Sequence, residues 1–362
     1  MKKIKVLIVE DSAFMRKLIT DFLSEDPLIE VIGIARNGLD AINKMKSMQP
    51  DVVTMDIEMP VMSGLDALAI IMKDCPVPII MLSSVNEQSA HNTLQAMHNG
   101  AFDFIAKPSG PISLDLHKIK EQLLDKIKAA SKMDINLLKK SSSLSKSTDY
   151  SIDSYSKIEL NRKKVPESIR LRPLAKLVAI GTSTGGPRAL QTVLGSLPKD
   201  IAAPIVIVQH MPPGFTKSLA SRLDQLSEIG VKEAEQDDVL ENGTAYIAPG
   251  GYHMKIVEQN HQLFISLTKD EARNGHRPSV DVMFESISML RSVPVVAVVM
   301  TGMGNDGTKG LRMLKKELPV QCIAESEQTA IVFGMPKSVI NAGLADTVEH
   351  VENIAKAIVR YC

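Results

Sequence analysis

The sequence predicts an α/β protein made of two mostly parallel-sheet domains that are joined by a polar linker. Short β-rich runs alternate with amphipathic, helix-like stretches over most of the 362 residues, and this alternation is typical of parallel sheets covered by helices. A serine- and lysine-rich segment without hydrophobic periodicity interrupts the alternation once. We therefore predict an N-terminal domain over residues 1–130, a flexible linker over 131–172 and a C-terminal domain over 173–362.

Composition narrows the class of protein. Lys and Arg together number 42, as do Asp and Glu, so nothing in the net charge favours nucleic acid as a partner. The three cysteines are scattered, which argues against a disulfide framework and for a reducing compartment. No run approaches the ~18 apolar residues of a membrane helix. We expect a cytoplasmic protein without nucleic-acid binding or membrane insertion.

The N-terminal domain shows five β-rich runs, each followed by an amphipathic stretch. The runs cover Ile4–Val9, Val31–Ala35, Asp51–Met55, Val77–Leu82 and Phe102–Ala106. The helix-like stretches cover Phe14–Leu23, Leu39–Met48, Leu65–Met72, Ala90–Met97 and Leu116–Ala130. Ligands of such sheets bind beyond the carboxyl ends of the strands, so the residues that follow each run are the candidates for a site.

Acidic residues follow two of these runs. Glu10 and Asp11 follow the first and Asp56 ends the third; three carboxylates at one sheet edge repel one another unless a cation is present, and such hard oxygen ligands suit Mg²⁺. Ser83 and Lys107 follow the fourth and fifth runs. A hydroxyl and an ammonium at this edge would suit a phosphoryl group carried by one carboxylate.

Residues 1–130 resemble the receiver domains of response regulators. The resemblance rests on the motifs Val9-Glu-Asp-Ser12, Val53-Thr-Met-Asp-Ile-Glu-Met-Pro60, Met81-Leu-Ser-Ser84 and Phe104-Ile-Ala-Lys-Pro108. It implies a flavodoxin-like fold, Mg²⁺ as cofactor and a histidine kinase as phosphodonor. It further implies Asp56 as the phospho-acceptor, Mg²⁺ held by Glu10, Asp11, Asp56 and the backbone carbonyl of Glu58, phosphoryl contacts from Ser83 and Lys107, and Phe104 at the aromatic switch position.

The C-terminal domain opens with a glycine-rich loop, residues 181–187. An apolar run, Leu177–Ile180, leads into it and a helix-like stretch, Arg188–Leu197, leads away. The loop fits the G-x-S-x-G pattern of a nucleophile elbow with Ser183 at its apex. A glycine-rich loop that packs tightly or cradles a phosphate fits the same letters. The pattern alone does not decide between these readings.

Two further strand ends offer partners for Ser183. His210 follows the run Pro204–Gln209, and Asp306 follows the run Val293–Met300. A catalytic serine needs a base, and the base needs a carboxylate to fix its tautomer; the carboxyl ends of parallel strands would bring all three to one rim. The alternatives left open are His253 and His276 as the base, with His276 more plausible as a substrate contact, and Asp281, Asp237 and Asp238 as the carboxylate.

The remaining elements of this domain predict a doubly wound, mostly parallel sheet with an antiparallel excursion. Four short runs between Val231 and Leu267 surround Pro249-Gly250-Gly251 and predict hairpins on one side of the sheet. The other predicted elements are helices at Gly214–Leu226, Val282–Leu290, Lys309–Leu318, Pro336–Asn341 and Val351–Tyr361, and a strand at Val320–Ala324.

Residues ~175–360 resemble the catalytic domain of the chemotaxis receptor methylesterases. The motifs are Ile180-Gly-Thr-Ser-Thr-Gly-Gly-Pro187, Gln209-His-Met-Pro-Pro-Gly-Phe215, Ile247-Ala-Pro-Gly-Gly-Tyr-His253, His276-Arg-Pro-Ser-Val-Asp281 and Met300-Thr-Gly-Met-Gly-Asn-Asp-Gly307. The resemblance implies a protein-glutamate methylesterase and protein-glutamine glutaminase that acts on methyl-accepting chemotaxis receptors and has no cofactor in this domain. It supports Ser183, His210 and Asp306 as the triad.

The same resemblance favours the backbone N–H of Met303 as a donor to the oxyanion. The N–H of Thr184, the residue after the nucleophile, is a second candidate donor because an elbow uses that position. The co-occurrence of the two domains suggests a regulatory scheme. We expect the receiver to cover the rim that carries Ser183 until phosphorylation of Asp56 shifts the population toward an open arrangement.

Overall fold

The computed structural model describes residues 2–107, 116–139, 176–291 and 293–362. Most of the predicted linker, 131–172, lies outside the described residues, as does Pro108 of the Phe104–Pro108 motif. The described residues form two parallel sheets with helices packed on them and one two-stranded antiparallel sheet. The predicted α/β class is confirmed. Among these residues, none of the helices is long and apolar enough to cross a membrane.

The N-terminal domain is a five-stranded parallel sheet with strand order β2-β1-β3-β4-β5, the order of flavodoxin-like folds. Its strands are β1 (Ile4–Val9), β2 (Ile29–Ala35), β3 (Val52–Asp56), β4 (Ile79–Ser83) and β5 (Asp103–Ala106). Its helices are α1 (Ala13–Ser24), α2 (Gly38–Met48), α3 (Gly64–Asp74), α4 (Glu87–His98) and α5 (Leu116–Ala130), followed by the single turn α6 (Asn136–Lys139).

Polar residues just past the sheet edge set where the first four helices begin. The side chains of Ser12, Asn37, Ser63 and Asn86 each accept a hydrogen bond from the backbone N–H three residues later. Such N-caps satisfy one of the free donors in the first helical turn. These caps fix where each of the four helices begins beyond the strand ends.

The C-terminal domain is a seven-stranded parallel sheet with order β14-β13-β12-β6-β7-β9-β8. Its strands are β6 (Leu177–Thr182), β7 (Ile205–Gln209), β8 (Gly230–Glu233), β9 (Thr244–Ile247), β12 (Val295–Val299), β13 (Val320–Glu325) and β14 (Thr347–Glu349), and the hairpin is β10 (His253–Gln259) and β11 (Gln262–Thr268). Its helices are α7 (Gly186–Leu194), α8 (Phe215–Leu226), α9 (Val280–Ile287), α10 (Thr308–Glu317), α11 (Met335–Asn341) and α12 (Val351–Tyr361).

The antiparallel excursion is smaller than the sequence predicted. Among the strands of the described residues, only β10 and β11 pair in antiparallel fashion; β8 pairs in parallel with β9, and β9 with β7, so both extend the main sheet. A parallel pair needs a long crossover, and residues 234–243 supply it. That segment runs along β11, where the N–H of Leu240 donates to the carbonyl of Leu263 at 2.9 Å. Runs of four residues carried no signal of strand direction, and the three-residue strand β14 was not predicted at all.

Candidate active site

Ser183, His210 and Asp306 meet at the carboxyl edge of the seven-stranded sheet. They follow β6, β7 and β12, which are neighbours in the order β12-β6-β7. Nδ1 of His210 lies 3.1 Å from Oγ of Ser183, and Nε2 of His210 lies 2.8 Å from Oδ2 of Asp306. The three side chains come from positions that span more than 120 residues of the chain, and the parallel strands bring them to one edge of the sheet.

The partners of the imidazole assign its tautomer. The Asp306 carboxylate only accepts hydrogen bonds, so Nε2 carries the proton and donates to Oδ2. Nδ1 then accepts from the Ser183 hydroxyl. The two ring nitrogens have exchanged partners relative to the digestive serine proteases, in which Nε2 faces the serine and Nδ1 faces the aspartate. Either nitrogen can act as the base, because what matters is that one faces the hydroxyl while the other is held by a carboxylate.

Asp306 is buried and held by three donors besides the histidine. Oδ1 accepts from the Ser279 hydroxyl at 2.9 Å and from the N–H of Asp281 at 3.1 Å, and Oδ2 accepts from the N–H of Val280 at 2.7 Å. Burial alone would raise the pKa of Asp306, but the bonds from His210 and these backbone groups hold it well below its usual range. The carboxylate is thus ionised and fixed in place.

The backbone around Ser183 is locked by neighbouring strands. The Ser183 N–H donates to the carbonyl of Thr301 at 3.0 Å, and the buried amide Nε2 of Gln209 donates to the carbonyls of Ser183 and His210. Gly302 lies so close that a Cβ there would sit 2.8 Å from Cβ of Ser183. Only glycine permits this approach, which brings the loop after β12 against the nucleophile.

Both candidate oxyanion donors lie on backbone that borders Ser183. Met303 is half-buried and is followed by Gly304 with φ +77, while Thr184 is buried and is followed by Gly185 with φ +79. Within the described part of the chain, neither the Met303 nor the Thr184 N–H donates a hydrogen bond. An oxyanion site requires N–H groups that are free to donate near the nucleophile, and these two remain the candidates.

The alternative bases lie elsewhere or face differently. Nε2 of His253 pairs with the carbonyl of Glu271 at 3.0 Å, away from the serine. His276 stacks on His210 with ring centroids 3.9 Å apart and planes 8° apart. Among the described residues, no hydrogen bond joins His276 to Ser183. The geometry favours His210 as the partner of the hydroxyl.

The alternative carboxylates also have other partners. Oδ1 of Asp281 accepts from the N–H of Gly310 at 2.7 Å and so ties α9 to α10. Asp238 pairs with Lys232 at 2.8 Å at the far edge strand, and Asp237 beside it is exposed. None of the three contacts the imidazole of His210.

Glu325 is a buried carboxylate that the sequence reasoning missed. It is the last residue of β13 and 1% exposed. Its oxygens accept from the N–H of Thr301 at 2.8 Å and from the hydroxyl of Thr329 at 3.0 Å, and burial raises its pKa to about 7. The signal was available: Glu325 is an acidic residue that ends an apolar run, the same pattern that singled out Asp56.

The receiver edge gathers the predicted acidic residues. Carboxylate oxygens of Glu10, Asp11 and Asp56 lie within 4.8 Å of one another, and Nζ of Lys107 lies 2.9 Å from Glu10 and 2.7 Å from Asp56. Burial raises the pKa of Glu10 and of Asp56, more than the lysine lowers them. Crowded hard oxygens of this kind fit a small divalent cation such as Mg²⁺.

Two other predicted residues of the receiver are turned toward α4. The Ser83 hydroxyl bonds to the carbonyl of Ser84 and accepts from the Thr93 hydroxyl at 2.7 Å, rather than contacting Asp56. The Glu58 side chain accepts from the Ser89 hydroxyl at 2.8 Å, while its N–H donates to Asp56 at 3.4 Å. Both contacts link the acidic edge to α4.

The receiver packs directly beside the candidate active site. The Thr184 hydroxyl donates to Oδ2 of Asp103 at 2.7 Å, and both residues are buried. Lys126 pairs with the same oxygen at 2.6 Å. Phe104, the predicted switch residue, stacks on Phe215 of α8 with centroids 4.9 Å apart. The residue after Ser183 is therefore bonded to the receiver.

Comparison with known proteins agrees with both resemblances. The family model of the CheB methylesterase matches residues 178–358, and that of the response regulator receiver domain matches residues 6–118. The chain is 52% identical to a protein-glutamate methylesterase/protein-glutamine glutaminase of Geobacillus kaustophilus over 99% of both chains. It is 48% identical to that of Bacillus subtilis, covering 98% of this chain and 97% of the relative.

Among solved structures, the CheB methylesterase catalytic domain of Thermotoga maritima matches with a TM-score of 0.50 and 47% identity, covering 52% of this chain and 99% of that one. This structural match agrees with the sequence matches on the methylesterase domain. The chain therefore belongs to the CheB family of protein-glutamate methylesterases and protein-glutamine glutaminases, with a response-regulator receiver domain ahead of the methylesterase domain.

Proposed function

We propose that the protein hydrolyses glutamate methyl esters and deamidates glutamines on the cytoplasmic helices of methyl-accepting chemotaxis receptors, and so tunes adaptation in the cytoplasm. The observation that carries the proposal is the hydrogen-bonded chain from Ser183 through His210 to Asp306. A hydroxyl in contact with an imidazole that a buried carboxylate orients is the arrangement of an acyl-transfer site. The names of the relatives supply the substrate class.

In the proposed reaction each of these groups has one role. Oγ of Ser183 attacks the side-chain carbonyl carbon of the methyl ester, and its proton passes to Nδ1 of His210. Asp306 stabilises the imidazolium, and the N–H groups of Met303 and Thr184 donate hydrogen bonds to the negatively charged oxygen of the tetrahedral intermediate. The C–O bond then breaks, methoxide leaves as methanol with the proton from His210, and water hydrolyses the acyl-enzyme by the same steps.

Deamidation needs no further group. A glutamine side chain offers the same carbonyl, and its leaving nitrogen takes the proton from His210 to depart as ammonia. Both substrates end as a glutamate carboxylate, because water resolves the same acyl-enzyme in each case. The two activities should therefore share their dependence on Ser183.

The test is Ser183→Ala, assayed by methanol release from membranes that bear methylated receptors and by ammonia release from receptors with glutamine at the same positions. We expect both activities to fall by at least ~10³-fold, since the residual rate comes from oxyanion stabilisation and binding alone. Unchanged thermal unfolding would show that the fold is intact. Retention of wild-type methanol release by the variant would rule out this nucleophile.

We further propose that the receiver restrains this site until Asp56 is phosphorylated by the histidine kinase of the pathway. The Thr184–Asp103 hydrogen bond and the Phe104–Phe215 stack support this, because they hold the receiver against the rim beside Ser183. Mg²⁺, held by Glu10, Asp11, Asp56 and the carbonyl of Glu58, would neutralise charge during phosphoryl transfer. Lys107 and Ser83 would contact the phosphoryl oxygens.

A small-molecule phosphodonor separates the two states. The wild-type chain should release methanol faster after phosphorylation in the presence of Mg²⁺, and Asp56→Asn should stay at the basal rate with or without the donor. Asp125→Asn, a change at an exposed carboxylate of α5, serves as the control and should respond like the wild type. An Asp56→Asn chain that is still activated by the donor would contradict the phospho-acceptor assignment.

A further inference from the structure

His276 forms a parallel stack with His210, the proposed base. The ring centroids are 3.9 Å apart and the planes differ by 8°, so the two imidazoles stack nearly parallel. His210 has to keep one plane, since only there do Nδ1 and Nε2 reach Ser183 and Asp306 at the same time. A flat ring against its face restricts rotation out of that plane.

A tight turn presents His276 to its neighbour. Arg273 and His276 exchange two backbone hydrogen bonds, of 3.0 and 2.9 Å, across Asn274 and Gly275, which have φ +52 and +80. Positive φ at both central residues defines a type I′ turn, for which Asn-Gly is the preferred pair. The N–H of Gly251 anchors the segment further by donating to the carbonyl of Arg277 at 3.0 Å.

The same segment continues into the donors that hold Asp306. Ser279, Val280 and Asp281 follow within five residues of His276 and all donate to that carboxylate. One short stretch of chain therefore contacts both the ring of His210 and the acid behind it. Because His276 and the donors to Asp306 belong to the same segment, the stack fixes the ring of His210 relative to the Asp306 carboxylate.

We infer that His276 is a positioning residue, whose neutral ring holds the catalytic imidazole of His210 in the plane that joins Ser183 to Asp306. The inference rests on the proposed function of the triad and deepens it. Its chemistry requires only an uncharged flat ring, not a proton donor or acceptor. This separates it from a role as base or as substrate contact, in which the ring nitrogens would matter.

The charges around His276 are consistent with a neutral ring. Burial and the neighbouring His210 lower its pKa to about 4, with a smaller lowering from Lys126 of the receiver, against the opposing effect of Asp306. His276 is therefore uncharged at neutral pH. A second positive ring would oppose the imidazolium that forms during acylation, whereas a neutral aromatic face tolerates a cation against it.

The experiment compares His276→Phe, which keeps a flat ring without nitrogens, with His276→Asn, which keeps polarity without a ring. Full-length phosphorylated chains are assayed for methanol release, and Ser183 is labelled with a fluorophosphonate, which needs the base but no receptor. We expect His276→Phe to keep kcat and labelling rate within about threefold of the wild type. His276→Asn should lose about tenfold or more in both kcat and labelling rate at unchanged KM, because small misplacements of a reacting group are costly. His261→Asn, at an exposed histidine, is the control.

Wild-type kcat and labelling rate in His276→Asn would overturn the inference, because the imidazole of His210 would then keep its plane without the ring of His276. Equal loss in both variants with a raised KM would also overturn it, because the nitrogens would then contact substrate. If receptor esters are not hydrolysed but labelling follows the predicted pattern, the proposed substrate is wrong and the positioning role stands. Thermal unfolding of each variant identifies losses that come from misfolding.

Discussion

Replacing Glu325 by glutamine should stabilise the protein in a pH-dependent way. Among the described residues, no lysine, arginine or histidine pairs with this carboxylate, and burial raises its pKa to about 7 from an unperturbed 4.5. A glutamine fills the same space. Its carbonyl can accept from the N–H of Thr301, and its amide can donate to the Thr329 hydroxyl, which rotates to accept. The substitution therefore removes the buried charge while keeping both contacts.

The magnitude follows from the two pKa values of Glu325. Between pH 4.5 and 7 the folded chain holds a proton that the unfolded chain has released, so folding stability falls as pH rises through this window. Below pH 4.5 the carboxyl is neutral in both the folded and the unfolded chain and does not lower the free energy of unfolding. Above pH 7 the penalty is complete, and the difference of about 2.5 between the pKa values corresponds to about 3 kcal/mol. Glu325→Gln should remove that penalty.

Urea unfolding of the wild type and of Glu325→Gln at pH 5 and pH 8 measures the effect. We expect the stabilisation by glutamine to be small at pH 5 and to approach about 3 kcal/mol at pH 8. Glu327→Gln, at an exposed carboxylate two residues away, should change little at either pH. The reasoning fails if Glu325→Gln shifts stability equally at both pH values, because the carboxyl would then not titrate between them.

Three further outcomes test the sites. Asp306→Asn should cut kcat by about 10⁴-fold in the methanol assay while leaving the fold intact, because the amide no longer fixes the tautomer of His210; a loss under tenfold would contradict this. Asp103→Ala removes the acceptor of the Thr184 hydroxyl and should raise the methanol-release rate of the unphosphorylated chain by about 2- to 10-fold, which corresponds to the free energy of one hydrogen bond. An unchanged basal rate would show that this contact does not restrain the active site. Asp11→Asn should raise the Mg²⁺ concentration needed for half-maximal phosphorylation of Asp56, as measured by phosphodonor titration; unchanged dependence would exclude Asp11 as a ligand.

The sequence predicted the strand ends well because parallel sheets impose a simple rule on them. Every parallel strand delivers its last residue to the same edge, so an apolar run followed by a polar residue locates a site without knowledge of strand order. Ser183, His210 and Asp306 were found in this way. That their strands are immediate neighbours was not predictable, because the order of strands depends on long-range packing that a single sequence does not display.

Loops and short strands were harder to predict for a different reason. The parallel pairing of β8 and β9 depends on a crossover that lies along β11, and nothing within four-residue strands distinguishes it from a hairpin. The type I′ turn at Asn274-Gly275 was not predicted, and the ring that His276 stacks on lies 66 positions earlier in the chain. Glu325 ends an apolar run, as Asp56 does, but its partners, a backbone N–H and a hydroxyl, leave no further pattern in the sequence that would show its burial.

Strand β5 connects the acidic edge of the receiver to the candidate active site. Its first two residues, Asp103 and Phe104, contact Thr184 and Phe215, and Lys107, which follows its last residue, pairs with Asp56. At ~3.3 Å per residue, the strand spans only about 13 Å. One hydrogen bond and one aromatic stack contribute about 1–3 kcal/mol together, which corresponds to a 5- to 150-fold shift between closed and open populations. Under the proposed regulation, a phosphoryl group on Asp56 would contact Lys107 and act through β5 on contacts of this strength.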